Sequence, residues 1–242
     1  MSYETDPELM NDLQDYVEGG GPIQDAAILR IDGLHGDESR NGVTVAIPSI
    51  PPRRDPGTRG TGSLLGRALE SVITQTRPVD AISLVFDYRH EGAARTRNRA
   101  LAGVRTEWTA FLDDDDTLNP NHIELLLAHA EKTGADVVYP WFDVPGGFDP
   151  FPQYEGQPFN EKALREVQNY IPVTVLVRTG LARGVGGFTP RNTSTAAGAS
   201  PCEEWGLWLK LLDIGAKFAH LDQRTWRWNW HEGNTSGRGD RW

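Results

Sequence analysis

The 242 residues include a single cysteine, Cys202, so no disulfide can close within the chain. Lysine is nearly as scarce. Only Lys132, Lys162, Lys210 and Lys217 occur, and the other 20 of the 24 basic residues are Arg. A GC-rich coding genome accounts for most of that bias, although the planar guanidinium also suits phosphate. No apolar run approaches the roughly 20 residues of a bilayer span. The N-terminal stretch MSYETDPELMNDLQDYVEGGG is acidic and lacks the apolar core of a signal peptide. The expectation is a soluble, cytoplasmic protein without a membrane span. Positive charge is in deficit overall, with a net charge of -10. That argues against nucleic acid as a partner, because backbone binding needs clustered Lys and Arg.

What is present is an ordinary globular composition, 38% hydrophobic and 24% charged. Residues 1–41 are polar and Gly-rich and read as an N-terminal extension, with AAILRI (26–31) as a short strand within it. From residue 42 to 242 one domain is expected. VTVAIP (43–48), AISLVFD (81–87), WTAFL (108–112) and ADVVYPWF (135–142) are short apolar runs of the buried-strand type. Between them, LLGRALESVITQT (64–76) places Leu65, Leu69, Val72 and Ile73 on one helical face. GAARTRNRALAGV (92–104) is a second helix. Pro120 opens a third, and Gly134 closes it. This alternation predicts an α/β fold with one Rossmann-like, mostly parallel sheet and helices on both faces.

The second half is less regular. YIPVTVLVRT (170–179) reads as a strand, and residues 180–201 as a long mobile loop. CEEWGLWLKLLDIG (202–215) reads as a helix with Trp205, Trp208, Leu209 and Leu212 on one face. KFAHL (217–221) and TWRWNWH (225–231) read as closing strands. Trp226, Trp228 and Trp230 share a strand face, where packing is favoured over a sugar platform. Trp141 and Phe142 are better placed to stack on a sugar.

The stretch TAFLDDDDTLNP (109–120) runs an apolar strand into four carboxylates. Two like charges about 4 Å apart repel by roughly 1 kcal/mol in water and roughly 4 kcal/mol at an effective dielectric of 20. A solvated loop is the plain explanation, and a divalent cation is the functional one. In doubly wound sheets ligands bind outside the carboxyl ends of the strands. Both Asp87 and residues 113–116 fall at that edge, which favours the cation. The oxygen-bearing residues from Asp113 to Glu124 also mimic the spacing of an EF-hand. Leu118 stands where that loop needs Gly, so the EF-hand is set aside. A D-x-D strand end near arginines suits a metal-bound nucleoside diphosphate instead, since Mg²⁺ binds through one or two carboxylates plus phosphates.

VTVAIPSIPPR, LLGRALESVITQT, GAARTRNRAL, TAFLDDDDTLNPNHI, CEEWGLWLKLLDIGAKFAHL and RWNWHEGNTS occur in this order. Together, over residues 43 to 236, they resemble a family 2 glycosyltransferase of the GT-A fold. The resemblance implies an inverting, metal-dependent transfer of a sugar from a nucleoside-diphosphate sugar, UDP-sugars favoured, to a hydroxyl acceptor. It implies Mn²⁺ or Mg²⁺ as cofactor. On the donor side it implies Pro48, Ser49, Ile50 and Arg53 after the first strand, Asp87 after the second, then Arg95 and Asn98, with Asp113 near the ribose and Asp114 beside it. Arg97 directly precedes Asn98, so either arginine can be the one that faces the nucleotide. Asp115 is the main metal ligand, with Asp116 close by, and His231 a metal or pyrophosphate ligand. Glu203 and Glu204 match the acidic pair that supplies the base, with Glu204 as base. Asn234 and Ser236 belong to a closing loop.

Each residue also has a plainer role. Asp87 can cap the next turn, Arg95 and Arg97 can be surface charges, Glu203 can be a helix N-terminal acid, and His231 can pack among the tryptophans. Two other functions remain open. A metal-dependent nucleotidyltransferase would use a similar strand end, and a non-catalytic nucleotide-sugar or glycan binder would bind without turnover. The sugar, the acceptor and a homo-oligomeric state are left open.

Overall fold

The computed structural model describes residues 28–30, 41–49, 64–190 and 202–229. Among the described residues, eight strands form one sheet: β1 (Ile28–Arg30), β2 (Val43–Ser49), β3 (Ala81–Phe86), β4 (Trp108–Phe111), β5 (Thr117–Leu118), β6 (Val137–Asp143), β7 (Leu176–Arg178) and β8 (Phe218–Arg227). Their order is β1-β3-β2-β4-β7-β6-β8-β5. Six helices accompany them: α1 (Leu64–Ile73), α2 (Ala93–Gly103), α3 (His122–Thr133), α4 (Glu161–Glu166), α5 (Thr179–Gly184) and α6 (Glu203–Asp213).

β2 lies at the centre of the first half and is buried at all seven positions. That explains its unbroken apolar run, because both faces are covered. Val43, Val45 and Ile47 join the core beneath α1 and α3, while Ala46 points to the opposite core with α2 and α6. Thr44 is buried as well, and its hydroxyl is satisfied by that of Thr106 at 2.8 Å. Pro48 has no N–H to give. It stands just beyond Ala46, the last β2 residue paired with β4, so no ladder bond is lost there.

The sheet is mixed where a mostly parallel one was expected. β2 pairs parallel with β3 and β4, and β6 with β8, but the pairs β1–β3, β4–β7, β6–β7 and β5–β8 are antiparallel. The departure centres on β7, which inserts between β4 and β6. Leu176 lies opposite Ala110 on one side and Val138 on the other. An apolar run carries no mark of direction, so the insertion has no signature in its residues.

Four local readings change. Part of the loop expected at 180–201 is helix α5, Thr179–Gly184. The two closing strands are one, β8, paired with β6 across two irregularities at Pro140/Trp141 and Trp141/Phe142. The buried face of α6 is Leu207, Trp208, Leu211 and Leu212, with Trp205 only partly buried. Trp141 and Phe142 have no exposed surface, so neither is a platform for a sugar. Trp226 is core and Trp228 packs against it. β1 lies within the segment expected as an extension and pairs with the edge of β3. No helix among the described residues is long and apolar enough to cross a membrane.

α3 starts two residues after Pro120 and ends at Gly134, whose φ of 66° is the left-handed cap. Its first residue, His122, is fully buried, with Nδ1 2.8 Å from the Thr225 hydroxyl and Nε2 without a partner among the described residues. Burial lowers its pKa to about 4. The unfolded chain therefore takes up this proton first, and stability falls as pH drops from about 6.5 through 4. We expect the unfolding free energy of wild type, relative to His122→Gln, to fall by about 3 kcal/mol between pH 7 and pH 4. Urea unfolding at intermediate pH values measures the difference, and a constant gap would contradict a buried neutral histidine.

Candidate functional site

β4 ends at Phe111, and the Leu112 N–H still donates to Ala46 O at 3.2 Å. The chain then turns tightly, with the Asp116 N–H donating to Asp113 O at 3.1 Å. That turn bunches the carboxylates. Asp113, Asp115 and Asp116 each offer an oxygen within 4.8 Å of the others, an acidic triad that could hold a divalent metal. Asp114 points elsewhere and accepts the Ser49 hydroxyl at 2.6 Å.

Asp116 is the buried member, 4% exposed. Its carboxylate accepts the Asn229 N–H at 2.9 Å, and the Asn229 side chain donates to Asp115 O at 2.8 Å. Burial pushes the Asp116 carboxyl well above the usual carboxylate range, and the Asp115, Asp113 and Asp114 charges add to it. The Asn229 N–H pulls the other way. β5 supports this geometry, because Thr117 and Leu118 pair with Arg227 and Trp226 at the end of β8. A polar cleft of about 380 Å³ opens beside the turn, with Arg67, Ser71, Thr117, Arg227 and Asn229 on its walls. None of the four aspartates lies on those walls.

Across the turn stands Arg97 from α2, itself buried. Nη2 donates to both Asp113 oxygens at 2.7 and 2.9 Å, and Nη1 donates to Glu203 Oε1 at 3.3 Å. Burial works against the guanidinium charge, but Asp113, Glu204 and Glu203 outweigh it and hold its pKa above the ordinary arginine value. Glu203 and Glu204 form the first turn of α6. Burial raises the Glu204 pKa, Arg97 opposes the shift, and Glu203 adds to it. Asn169 Nδ2 lies 3.4 Å from Glu204 Oε1. The neighbouring Cys202 thiol is pushed up to about 12 by burial and by Glu204, so it stays protonated.

The other residues singled out by sequence fall as follows. Asp87 accepts the N–H groups of Glu91 and Gly92 at 2.9 and 2.8 Å, the capping role, at the sheet edge beside Ser49. Pro48 and Ser49 are buried at the end of β2. Arg95 is exposed on α2. Asn98 hydrogen-bonds the Phe188 backbone. Ile50, Arg53, His231, Asn234 and Ser236 lie outside the described residues. Two participants carried little weight in the sequence, Asp116 and Arg97. Both stood beside residues assigned more specific roles, and only burial separates them.

Comparison with known proteins gives one family match and several similar structures. The model described as Glycosyl transferase family 2 matches residues 80–185. The chain is 30% identical over 67 residues to "Succinoglycan biosynthesis protein ExoO" of Rhizobium meliloti (strain 1021), which covers 28% of this chain and 19% of the relative. S. aureus TarS, as its 1–349 fragment in complex with UDP-GlcNAc, superimposes with a TM-score of 0.61 at 15% identity, over 81% of this chain and 61% of that one. The same fragment without that ligand gives 0.59 at 14% identity, over 78% and 60%. The chain thus spans a small part of its curated relative and about three fifths of the TarS fragment.

Removing one partner of a buried ion pair costs about 3–5 kcal/mol. Asp113 keeps 31% side-chain exposure, so Arg97→Met should fall near the lower end, about 3 kcal/mol. Urea unfolding at pH 7 measures it, and adding Glu203→Gln should recover part of the loss. A cost below about 1 kcal/mol would show that the guanidinium does not hold these acids together.

Proposed function

We propose that the chain moves a sugar from a nucleoside-diphosphate sugar to a hydroxyl acceptor, on a GT-A arrangement of the sheet and with inversion, a reading supported by the match of residues 80–185 to Glycosyl transferase family 2. The observation that carries this reading is one convergence. Three aspartates of a single turn, Arg97 and the acidic start of α6 meet at the carboxyl edge of the parallel strands. A UDP-sugar donor is the first choice, since TarS was solved with UDP-GlcNAc.

The donor set of Asp113, Asp115 and Asp116 is all hard oxygen, which suits Mn²⁺ or Mg²⁺. Burial is the main cause of the raised Asp116 pKa and the neighbouring carboxylates add to it, and a cation shared by the three would offset both. When bound, such an ion offsets the charge on a departing diphosphate. His231 is retained as a further ligand and lies beyond the described residues. On the donor side, Ser49 holds Asp114 and Asp87 holds the entry to α2, fixing the floor on which the nucleotide rests.

Glu204 takes the acceptor proton. Its raised pKa makes it a stronger base than an ordinary glutamate. As the acceptor oxygen bonds to the anomeric carbon, the bond from that carbon to the diphosphate oxygen breaks, and the proton rests on the Glu204 carboxylate. Glu203 is committed to Arg97 and orients the turn.

Glu204→Gln should retain donor binding and lose turnover by about a hundredfold or more. Thermal shift with UDP-, GDP- and dTDP-sugars plus Mn²⁺ reads the first, with about 2.7 kcal/mol of stabilisation at a hundredfold excess over Kd. Nucleotide release reads the second. Full turnover in the variant would remove Glu204 from the chemistry. Donor binding without wild-type turnover would mark a binder, and pyrophosphate release from sugar phosphate plus NTP would mark a nucleotidyltransferase.

The base must be ionised, so kcat/KM, which reports the free enzyme, should fall with acidification through an apparent pKa above the usual glutamate range. A pH–rate profile measures this. An acid limb at the ordinary glutamate value would contradict the buried environment of Glu204.

A further inference from the structure

Asn98 follows Arg97 on α2, and its amide is engaged at both ends. Oδ1 accepts the Phe188 N–H at 2.7 Å, and Nδ2 donates to Phe188 O at 2.8 Å. The side chain thus pairs with one residue as a strand neighbour would. Gly187, with a φ of 66°, allows the approach, since a Cβ there would stand 2.2 Å from Asn98 Oδ1. The Phe188 ring is buried, lies edge-on to Phe111 at 5.0 Å, and has the Arg97 guanidinium 5.6 Å from its centroid.

The same turn is gripped from α6. Lys210 Nζ donates to Gly187 O. Gly206 faces Thr189, where an added Cβ would meet the threonine Cβ at 3.6 Å. Residues 187–189 are therefore wedged between α2 and α6. Arg97, one residue before Asn98, reaches Glu203 at the start of α6. Two consecutive residues of α2 thus hold both ends of the chain between Phe188 and Glu203.

We propose that Asn98 is a positioning residue that sets the first turn of α6, and with it Glu204, against the acidic turn, and that it does not contact the nucleotide. The proposal rests on the glycosyl-transfer reading for its catalytic consequence but not for the clamp itself. It assigns the placement of Glu204 to α2.

Hydrogen exchange and kinetics on Asn98→Ala, Asn98→Asp and Lys210→Met test it. In Asn98→Ala the Phe188 amide and the Gly206 amide, which donates to Cys202 O, should exchange about tenfold faster while those of α3 do not change. kcat should drop about 10- to 100-fold, because a displacement near 1 Å is that costly, with donor Kd within twofold. Asn98→Asp keeps the acceptor for the Phe188 N–H and should fall between. Lys210→Met should loosen the same amides from the α6 side. Unchanged exchange at Phe188 and Gly206, or equal acceleration throughout α3, would overturn the clamp. Donor Kd weakening in step with kcat/KM would show that Asn98 touches the nucleotide. If wild type turns over no nucleotide sugar, glycosyl transfer fails, while the exchange arm still decides the clamp.

Discussion

Arg97 places one buried positive charge between Asp113 and Glu203, with Glu204 adding to the field around it. Without it, the Asp113 carboxylate would face those of α6 across the gap that the guanidinium now fills. Like charges about 4 Å apart repel by roughly 4 kcal/mol at an effective dielectric of 20, and by less across the wider gap that a guanidinium spans. The guanidinium lets two acidic segments from distant parts of the chain share one edge of the sheet. Its neighbour Asn98 fixes the segment between them from the same helix. The charge and the geometry of the site therefore have a common origin in one turn of α2.

The sheet supplies the rest. β2, β3 and β4 run parallel, so their carboxyl ends bring Ser49, Asp87 and Asp113 to one side. β5 and β8 close the turn from the other direction, and Asn229 is delivered to Asp115 and Asp116 by the end of β8. The consequence is uneven solvation within four identical residues. Asp114 is paid for by a serine hydroxyl, Asp113 by an arginine, and Asp116 is buried with one backbone N–H. That unevenness is what separates a ligand-ready turn from a solvated acidic loop, in which all four would be hydrated alike.

Apolar runs and helical periodicity made β2, β3, β4, α1 and α3 legible in the sequence, because each must bury an apolar face, and for α3 Gly134 marks the end. The direction of β7 was not legible, since it depends on which gap in the sheet remains unfilled. Arg95 and Arg97 are two residues apart on a helix and so project about 200° apart. Residue type alone does not say which one faces inward. Trp141 and Phe142 stack on one another at 5.2 Å within one core, where the pairing of β6 with β8 is irregular, and neither keeps exposed surface, which removes the platform that their position suggested. The burial of Asp116 was hidden for a similar reason. It depends on Asn229, 113 positions away, and on a two-residue strand too short to show in any pattern.

A titration of Mn²⁺ followed by electron paramagnetic resonance, with and without UDP, tests the central claim most directly. The account predicts one Mn²⁺ per chain, held through the Asp113–Asp116 turn, with an affinity that rises when UDP is added. Free Mn²⁺ signal undiminished by the protein, or an affinity indifferent to UDP, would contradict it.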